Sequence, residues 1–182
     1  MKTLVAYATR HGATAGIAER IAATLTESGR PAEARAVEEV TSVDGYEAVI
    51  LGGAAYMFHW LKPAVKFARQ HRAALVSRPV WLFSSGPLGT DMVDEHGKDV
   101  LQTTRPKEFD ELTELLHPRG EHIFFGAYDP DAKPIGLGER MVRLMPAARG
   151  SMPAGDFRDW AAIDTWARGI AEAMGTEDRQ LE

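Results

Sequence analysis

The 182-residue chain has no cysteine, which removes disulfides, thiolate metal sites, iron–sulfur clusters and cysteine nucleophiles from consideration. It has no basic surplus either. Its 21 Lys and Arg stand against 26 Asp and Glu, a net charge of −5, so counterion release gives no general drive toward DNA or RNA. No apolar run approaches the ~20 residues that span a bilayer, and Thr9-Arg10-His11 interrupts the first one too early for a secretory signal. These absences lead to the expectation of a cytoplasmic protein, at most peripheral at the inner face of a membrane. Missing motifs narrow the chemistry further. There is no Gly-x-x-x-x-Gly-Lys phosphate loop and no G-x-G-x-x-G after the first strand. No Gly-x-Ser-x-Gly elbow for a serine hydrolase is present. A phosphoacceptor receiver needs acidic residues at the ends of its first and third strands, where this chain has Tyr7-Ala8 and Gly52-Gly53. No metal site is read.

Present instead are compact apolar runs at 3–8, 48–52, 79–84 and 122–127, continuous in the way of strands buried on both faces. A weaker, alternating run at 32–37 follows Gly29-Arg30-Pro31 and suits an edge strand. Between them lie helical patterns. Ile17, Ile21 and Leu25 give 13–28 one apolar face, ended by Gly29 as a C-cap. Leu61, Val65, Ala68 and Leu75 stripe 60–75, Phe109, Leu112, Leu115 and Leu116 stripe 107–117, and Trp160, Ile163, Ala167, Ile170 and Met174 stripe 157–174. Strands alternating with helices imply an α/β fold: a doubly wound, five-stranded parallel sheet in the order 2-1-3-4-5, joined by right-handed crossovers. One domain is expected over 1–174, with an insertion at 128–155 after the fifth strand and a polar tail at 175–182. Residues 86–105 also stand outside the alternation.

In such a sheet ligands bind beyond the carboxyl ends of the strands where the strand order reverses. The first loop there is Thr9-Arg10-His11-Gly12-Ala13-Thr14, running straight into a helix. Backbone N–H groups, hydroxyls and the helix dipole converge on it, as a phosphate requires, although Thr14 also suits an N-cap. The third-strand loop, Gly53-Ala54-Ala55-Tyr56-Met57-Phe58-His59-Trp60, joins small residues to aromatics. The fourth is Ser84-Ser85-Gly86-Pro87-Leu88-Gly89. Small, backbone-exposing residues beside aromatics suit a flat, polar-edged ring, and with a phosphate turn the ligand is FMN. The other reading packs Tyr56, Phe58 and Trp60 between helix and sheet, with Trp60 foremost in the helical stripe's first turn.

On these residues the sequence resembles the flavodoxin superfamily. Thr9-x-x-Gly12-x-Thr14 matches its FMN-phosphate loop, and Gly52-Gly53-Ala54-Ala55-Tyr56 and Ser84-Ser85-Gly86-Pro87-Leu88-Gly89 look like its two isoalloxazine loops. Within it, the chain is most similar to the menaquinone-dependent protoporphyrinogen oxidase group. That likeness rests on Met1-Lys2-Thr3-Leu4 leading into Thr9-Arg10, on His59 followed by an aromatic, on Phe67-Ala68-x-x-His71, and on Asp156-Phe157-x-Asp159-Trp160 opening the last helix.

The resemblance implies an FMN-dependent oxidoreductase passing electrons between a small organic substrate and a quinone or similar acceptor. Thr9, Arg10, His11, Gly12, Ala13 and Thr14 would bind the phosphate. Ala54, Ala55, Tyr56, Met57, Ser85, Gly86, Pro87, Leu88 and Gly89 would bind the ring. His59 is the best candidate for moving a proton, a solvated or capping role being the other reading. Arg10, His11, His59 and Lys62 near the flavin edge favour an anionic substrate. Within the insertion, Met141, Leu144 and Met145 share one face and Arg140 and Arg143 another, as in a short interfacial or core helix. Two other readings stay open: an electron carrier serving a reductase or other protein partner, and a flavin-free binding module.

Overall fold

A computed structural model of the chain describes residues 2–133, 135 and 153–178. Strand β1 (Lys2–Ala8) leads into α1 (Ala13–Glu27), then β2 (Ala32–Ala36) and a short 3-10 turn at Val37–Glu39. Strand β3 (Tyr46–Tyr56) folds back as β4 (His59–Trp60) before α2 (Lys62–Gln70) and α3 (Arg72–Leu75). There follow β5 (Val80–Ser85), α4 (Val100–Thr103), α5 (Glu108–Leu116), β6 (Gly120–Phe124), β7 (Ala127–Tyr128), β8 (Gly155–Asp156) and α6 (Trp160–Asp178). The sheet runs β2-β1-β3-β5-β6, all parallel, with β4 added antiparallel to β3. With β4 set aside, this is the doubly wound order expected from the alternation of strands and helices.

The continuous apolar runs are buried on both faces because helices cover both. Leu4, Val49, Leu51 and Leu82 meet Val65 and Phe67 of α2 and Phe109 and Leu112 of α5. Val5, Ile50, Trp81 and Phe83 meet Ile17, Ile21 and Leu25 of α1 and Ile163, Ala167, Ile170 and Met174 of α6. Burying each of the Val, Leu, Ile, Phe and Met side chains among these stabilises the fold by about 1.5–3 kcal/mol. Helix α1 ends in a Schellman motif: Gly29 has φ +81°, its N–H donates to Thr26, and Arg30 N–H donates to the Leu25 carbonyl. Polar groups lock α1 to α6, since Asp164 accepts from Arg20 Nε at 2.6 Å, Arg20 Nη2 at 2.5 Å and Thr24 Oγ1 at 2.7 Å.

Several boundaries depart from the sequence reading. The third strand runs past 52 to Tyr56, so Gly53-Ala54-Ala55-Tyr56 is strand rather than loop. The 60–75 stretch holds two helices broken at His71, and Trp60 belongs to β4. The fifth major strand ends at Phe124, and α6 continues beyond Met174 to Asp178, into the stretch read as a tail. Residues 86–105 carry a Val93–Asp99 bridge and α4, whose N-terminus Asp99 caps. The ends of the 128–155 insertion pair as the β7–β8 ribbon. Its apolar and basic faces, Arg140, Met141, Arg143, Leu144 and Met145, lie outside the described residues.

Candidate functional site

The turn after β1 closes by short-range bonds. Gly12 adopts φ +85°, a conformation glycine reaches without steric penalty, and its N–H donates to Thr9 Oγ1 at 3.1 Å. Gly12 also occupies the N-cap position of α1, where no side chain caps the helix and no acidic residue stands in the first turn. Amide donors therefore face outward at the positive end of the dipole, the arrangement that binds an anion. Thr14 is not the N-cap. It lies inside α1, fully buried, with Oγ1 2.8 Å from Ser85 Oγ. That contact stitches the turn to the end of β5, and thus joins the first and third of the loops singled out in the sequence.

The second of them is an arm. Ala55 pairs with Trp60 and Tyr56 with His59 across a two-residue turn, Met57-Phe58, with φ +50° and +65°. Such left-handed pairs normally take Asn-Gly, and here distant contacts hold the geometry. Phe58 O accepts from Lys107 N–H at 3.0 Å. Glu108 Oε2 accepts from Trp60 N–H at 2.9 Å, and its Oε1 lies 2.8 Å from His59 Nδ1. Burial opposes ionisation of Glu108, but these bonds outweigh it and hold the carboxyl below its ordinary range. The carboxylate orients the His59 ring, leaving Nε2 on the far side. Trp60 is a core residue, as the packing alternative had it: its indole N–H donates to Gly53 O at 2.8 Å and its ring meets Phe109 edge-on at 5.2 Å. A Cβ on Gly53 would fall 2.6 Å from that indole nitrogen, so the glycine serves ring packing within a strand.

Beyond β5, Gly86 approaches the arm so closely that a Cβ there would lie 3.2 Å from Ala55 O. Pro87 O accepts from Gly126 N–H at 2.8 Å, and Gly89 turns at φ +103°. The structure thus brings Ala55 against Gly86, Arg10 over the Tyr56 ring at 4.7 Å, and Thr14 against Ser85. Met57 is 84% exposed and Phe58 50% exposed.

A cleft of about 720 Å³ opens beside the turn, lined by His11, Gly12 and Ala13 on one side and by Tyr128, Asp156 and Arg158 on the other. The insertion's described ends therefore flank the first loop, and Gly126, just before the insertion, reaches the fourth-strand loop. Tyr128, Asp156 and Arg158 were not read as site residues. The one signal for them was the Asp156-Phe157-x-Asp159-Trp160 run, whose placement depends on a contact across the whole chain. A shallower groove of about 490 Å³ runs along α1 and β2, on the far side of that helix from the strand ends.

A flavodoxin domain family model matches residues 4–132, more than half of the chain. No curated protein matches it. Among solved structures, the rubredoxin oxygen:oxidoreductase of Desulfovibrio gigas superposes with a TM-score of 0.60 at 12% identity, over 96% of this chain and 36% of that one. This chain thus spans about a third of that protein. An archaeal flavodoxin gives a TM-score of 0.56 at 16% identity, over 95% of this chain and 98% of that one. Two-electron reduced Megasphaera elsdenii flavodoxin gives 0.52 at 20% identity, over 82% and 99%. These likenesses speak to the fold.

Proposed function

The chain belongs to the flavodoxin domain family, and from that premise we propose that it binds FMN noncovalently at 1:1 and works as a redox protein. The observation that carries the reading is the meeting, at the carboxyl ends of β1, β3 and β5, of an uncapped helix N-terminus with two segments in mutual contact, Ala55 and Gly86. The donor set fits the group: the uncapped amides at the start of α1 suit a phosphate, while the arm and Ser85, Gly86, Pro87, Leu88 and Gly89 present peptide edges suited to a flat heterocycle. The flavin would supply the redox chemistry and the protein its binding, orientation and electrostatics. In that division Thr9, Arg10, His11, Gly12, Ala13 and Thr14 hold the phosphate end. Ala54, Ala55, Tyr56 and Met57 border the ring, and Arg10 stacked on Tyr56 couples the two.

The finer reading is a protoporphyrinogen-oxidase-like oxidoreductase acting on a small substrate with a quinone-type acceptor, with His59, oriented by Glu108, moving a proton. The open cleft between the turn and the β7–β8 ribbon favours it, since an enzyme needs a surface beside its cofactor on which a substrate can rest, and this one borders the phosphate end. The electron-carrier reading, with a protein partner, is equally served by the fold, which two flavodoxins match over nearly their full length. No helix among the described residues is long and apolar enough to cross a membrane.

Two measurements test these readings. The visible spectrum of protein reconstituted with FMN or FAD should show an FMN complex and weaker FAD binding. Release of FAD, or no flavin taken up, overturns the assignment. Stopped-flow reoxidation by a quinone should be fast in the full chain and slow when 130–154 is replaced by a Gly/Ser linker. Equal rates would favour the carrier.

A further inference from the structure

Resting on the FMN reading, we infer that Arg158 is a phosphate-binding residue, the fixed cation that makes this site select a phosphorylated flavin. Its guanidinium is held from several directions. Nε and Nη2 donate to Asp156 Oδ1 and Oδ2 at 2.8 and 2.6 Å, Nη1 donates to Ala13 O at 3.3 Å, and the group lies 4.5 Å from the Trp160 ring centroid. Of the five N–H donors of an arginine these contacts use three, which leaves one on each terminal nitrogen. The side chain is 17% exposed and lines the same cleft as His11, Gly12 and Ala13.

The arrangement makes poor sense as a clamp alone. Helix N-termini favour acidic neighbours, and a cation there opposes the dipole. The first turn of α1 contains no acidic residue, and the guanidinium sits against its first carbonyl. The charge is seated through Gly16, where a Cβ would fall 2.5 Å from Arg158 Nη1. Gly16, the fourth residue of α1, leaves room for the flat guanidinium to lie against the helix. Asp156 neutralises part of the charge, and Asp129 is the other carboxylate on the cleft. A phosphate at the turn would accept from the amides and from the free guanidinium edge together, a forked geometry that lysine cannot reproduce.

The test compares FMN with riboflavin, which shares the ring and lacks the phosphate. Arg158→Gln should weaken FMN roughly 10- to 100-fold and riboflavin little, and Arg158→Lys should restore part of the loss. Because both ligands need the same folded fraction, the ratio of their dissociation constants reads the phosphate end even in a destabilised variant. A second measurement uses the unaltered protein. With a net charge of −5, long-range repulsion alone would make salt tighten FMN binding, whereas a local cation makes salt weaken it. Weakening by salt that Arg158→Gln abolishes supports the inference. An unchanged riboflavin-to-FMN ratio in both variants overturns it while leaving the FMN reading intact, and failure of the unaltered protein to bind either flavin removes both.

Discussion

The turn after β1 and the arm after β3 flank the same site but are held by different means. The turn is built mainly from neighbours: Thr9 receives the Gly12 amide, Gly12 starts α1, and longer contacts, Thr14 to Ser85 foremost, tie it down. The arm is built from strangers. Its backbone is strained at Met57 and Phe58, and Lys107, Glu108 and Phe109 at the start of α5 hold it in place. A lesion in the turn should therefore act locally, while one in the arm should spread into the sheet and α5.

The sharpest break is Trp60→Ala. Trp60 is 2% exposed, roofs Gly53 and packs on Phe109, so its loss should destabilise the protein by about 3–5 kcal/mol in urea unfolding. Riboflavin should then bind as poorly as FMN, because the ring-side arm fails first. Retained riboflavin affinity would show that the arm holds its place without its anchor.

Thr14→Val attacks the turn instead. It leaves Ser85 Oγ buried without its partner, and should cost about 1–3 kcal/mol of apo stability. Adding Ser85→Ala should recover most of that, since removing both partners is far cheaper than orphaning one. If the double variant regains stability but not FMN affinity, the Thr14 hydroxyl also serves the phosphate.

The seam behind the turn gives a smaller, pH-dependent effect. Hydrogen bonding from Arg20, opposed by burial and reinforced by Thr24 and the nearby Arg168, holds the Asp164 carboxyl down to about 2 from its ordinary 3.8. A depressed carboxyl contributes stability above its unfolded value and loses it as pH falls through the folded one. The contribution should therefore fade between about pH 4 and pH 2. With Arg20 partly exposed it amounts to roughly 1–2 kcal/mol. Asp164→Asn should remove that component from the acid unfolding curve. His122 adds a separate step: burial against Phe124 and Trp166 lowers its pKa, so stability should also decline as pH falls below about 6.5, and His122→Phe should abolish that part.

The same contrast decides what the sequence could tell. Ile17, Ile21 and Leu25, Gly29 and the Gly12 turn obey rules that act within a few residues, and each was legible. The arm was not, because Met57-Phe58 carries no Asn-Gly signal and its partners lie about fifty residues on. Trp60 was placed in a helix since its spacing happens to continue the stripe of Leu61, Val65 and Ala68. The place of Arg158 could not be read for the same reason in extreme form: it touches α1 across 145 positions of chain.

The smallest effect, and the only stabilising one, concerns the arm's tip. Non-glycine residues at positive φ cost on the order of 1 kcal/mol each, and a two-residue hairpin turn of this kind is at ease with Asn-Gly. Replacing Met57-Phe58 by Asn-Gly removes one side chain that is largely in solvent and one that is half-buried, so the packing lost at Phe58 offsets part of the strain relieved. The Phe58 carbonyl that accepts from Lys107 remains in the backbone. The variant should gain about 0.5–1 kcal/mol in urea unfolding of the apo protein. Its flavin or partner affinity should fall, because an exposed apolar pair on a strained turn persists only where the side chains themselves are used. A gain in stability with unchanged flavin affinity and unchanged reoxidation would mean that the tip serves neither ring nor partner. No gain at all would mean that the Lys107 and Glu108 contacts already select this turn so strongly that its strain no longer registers in folding.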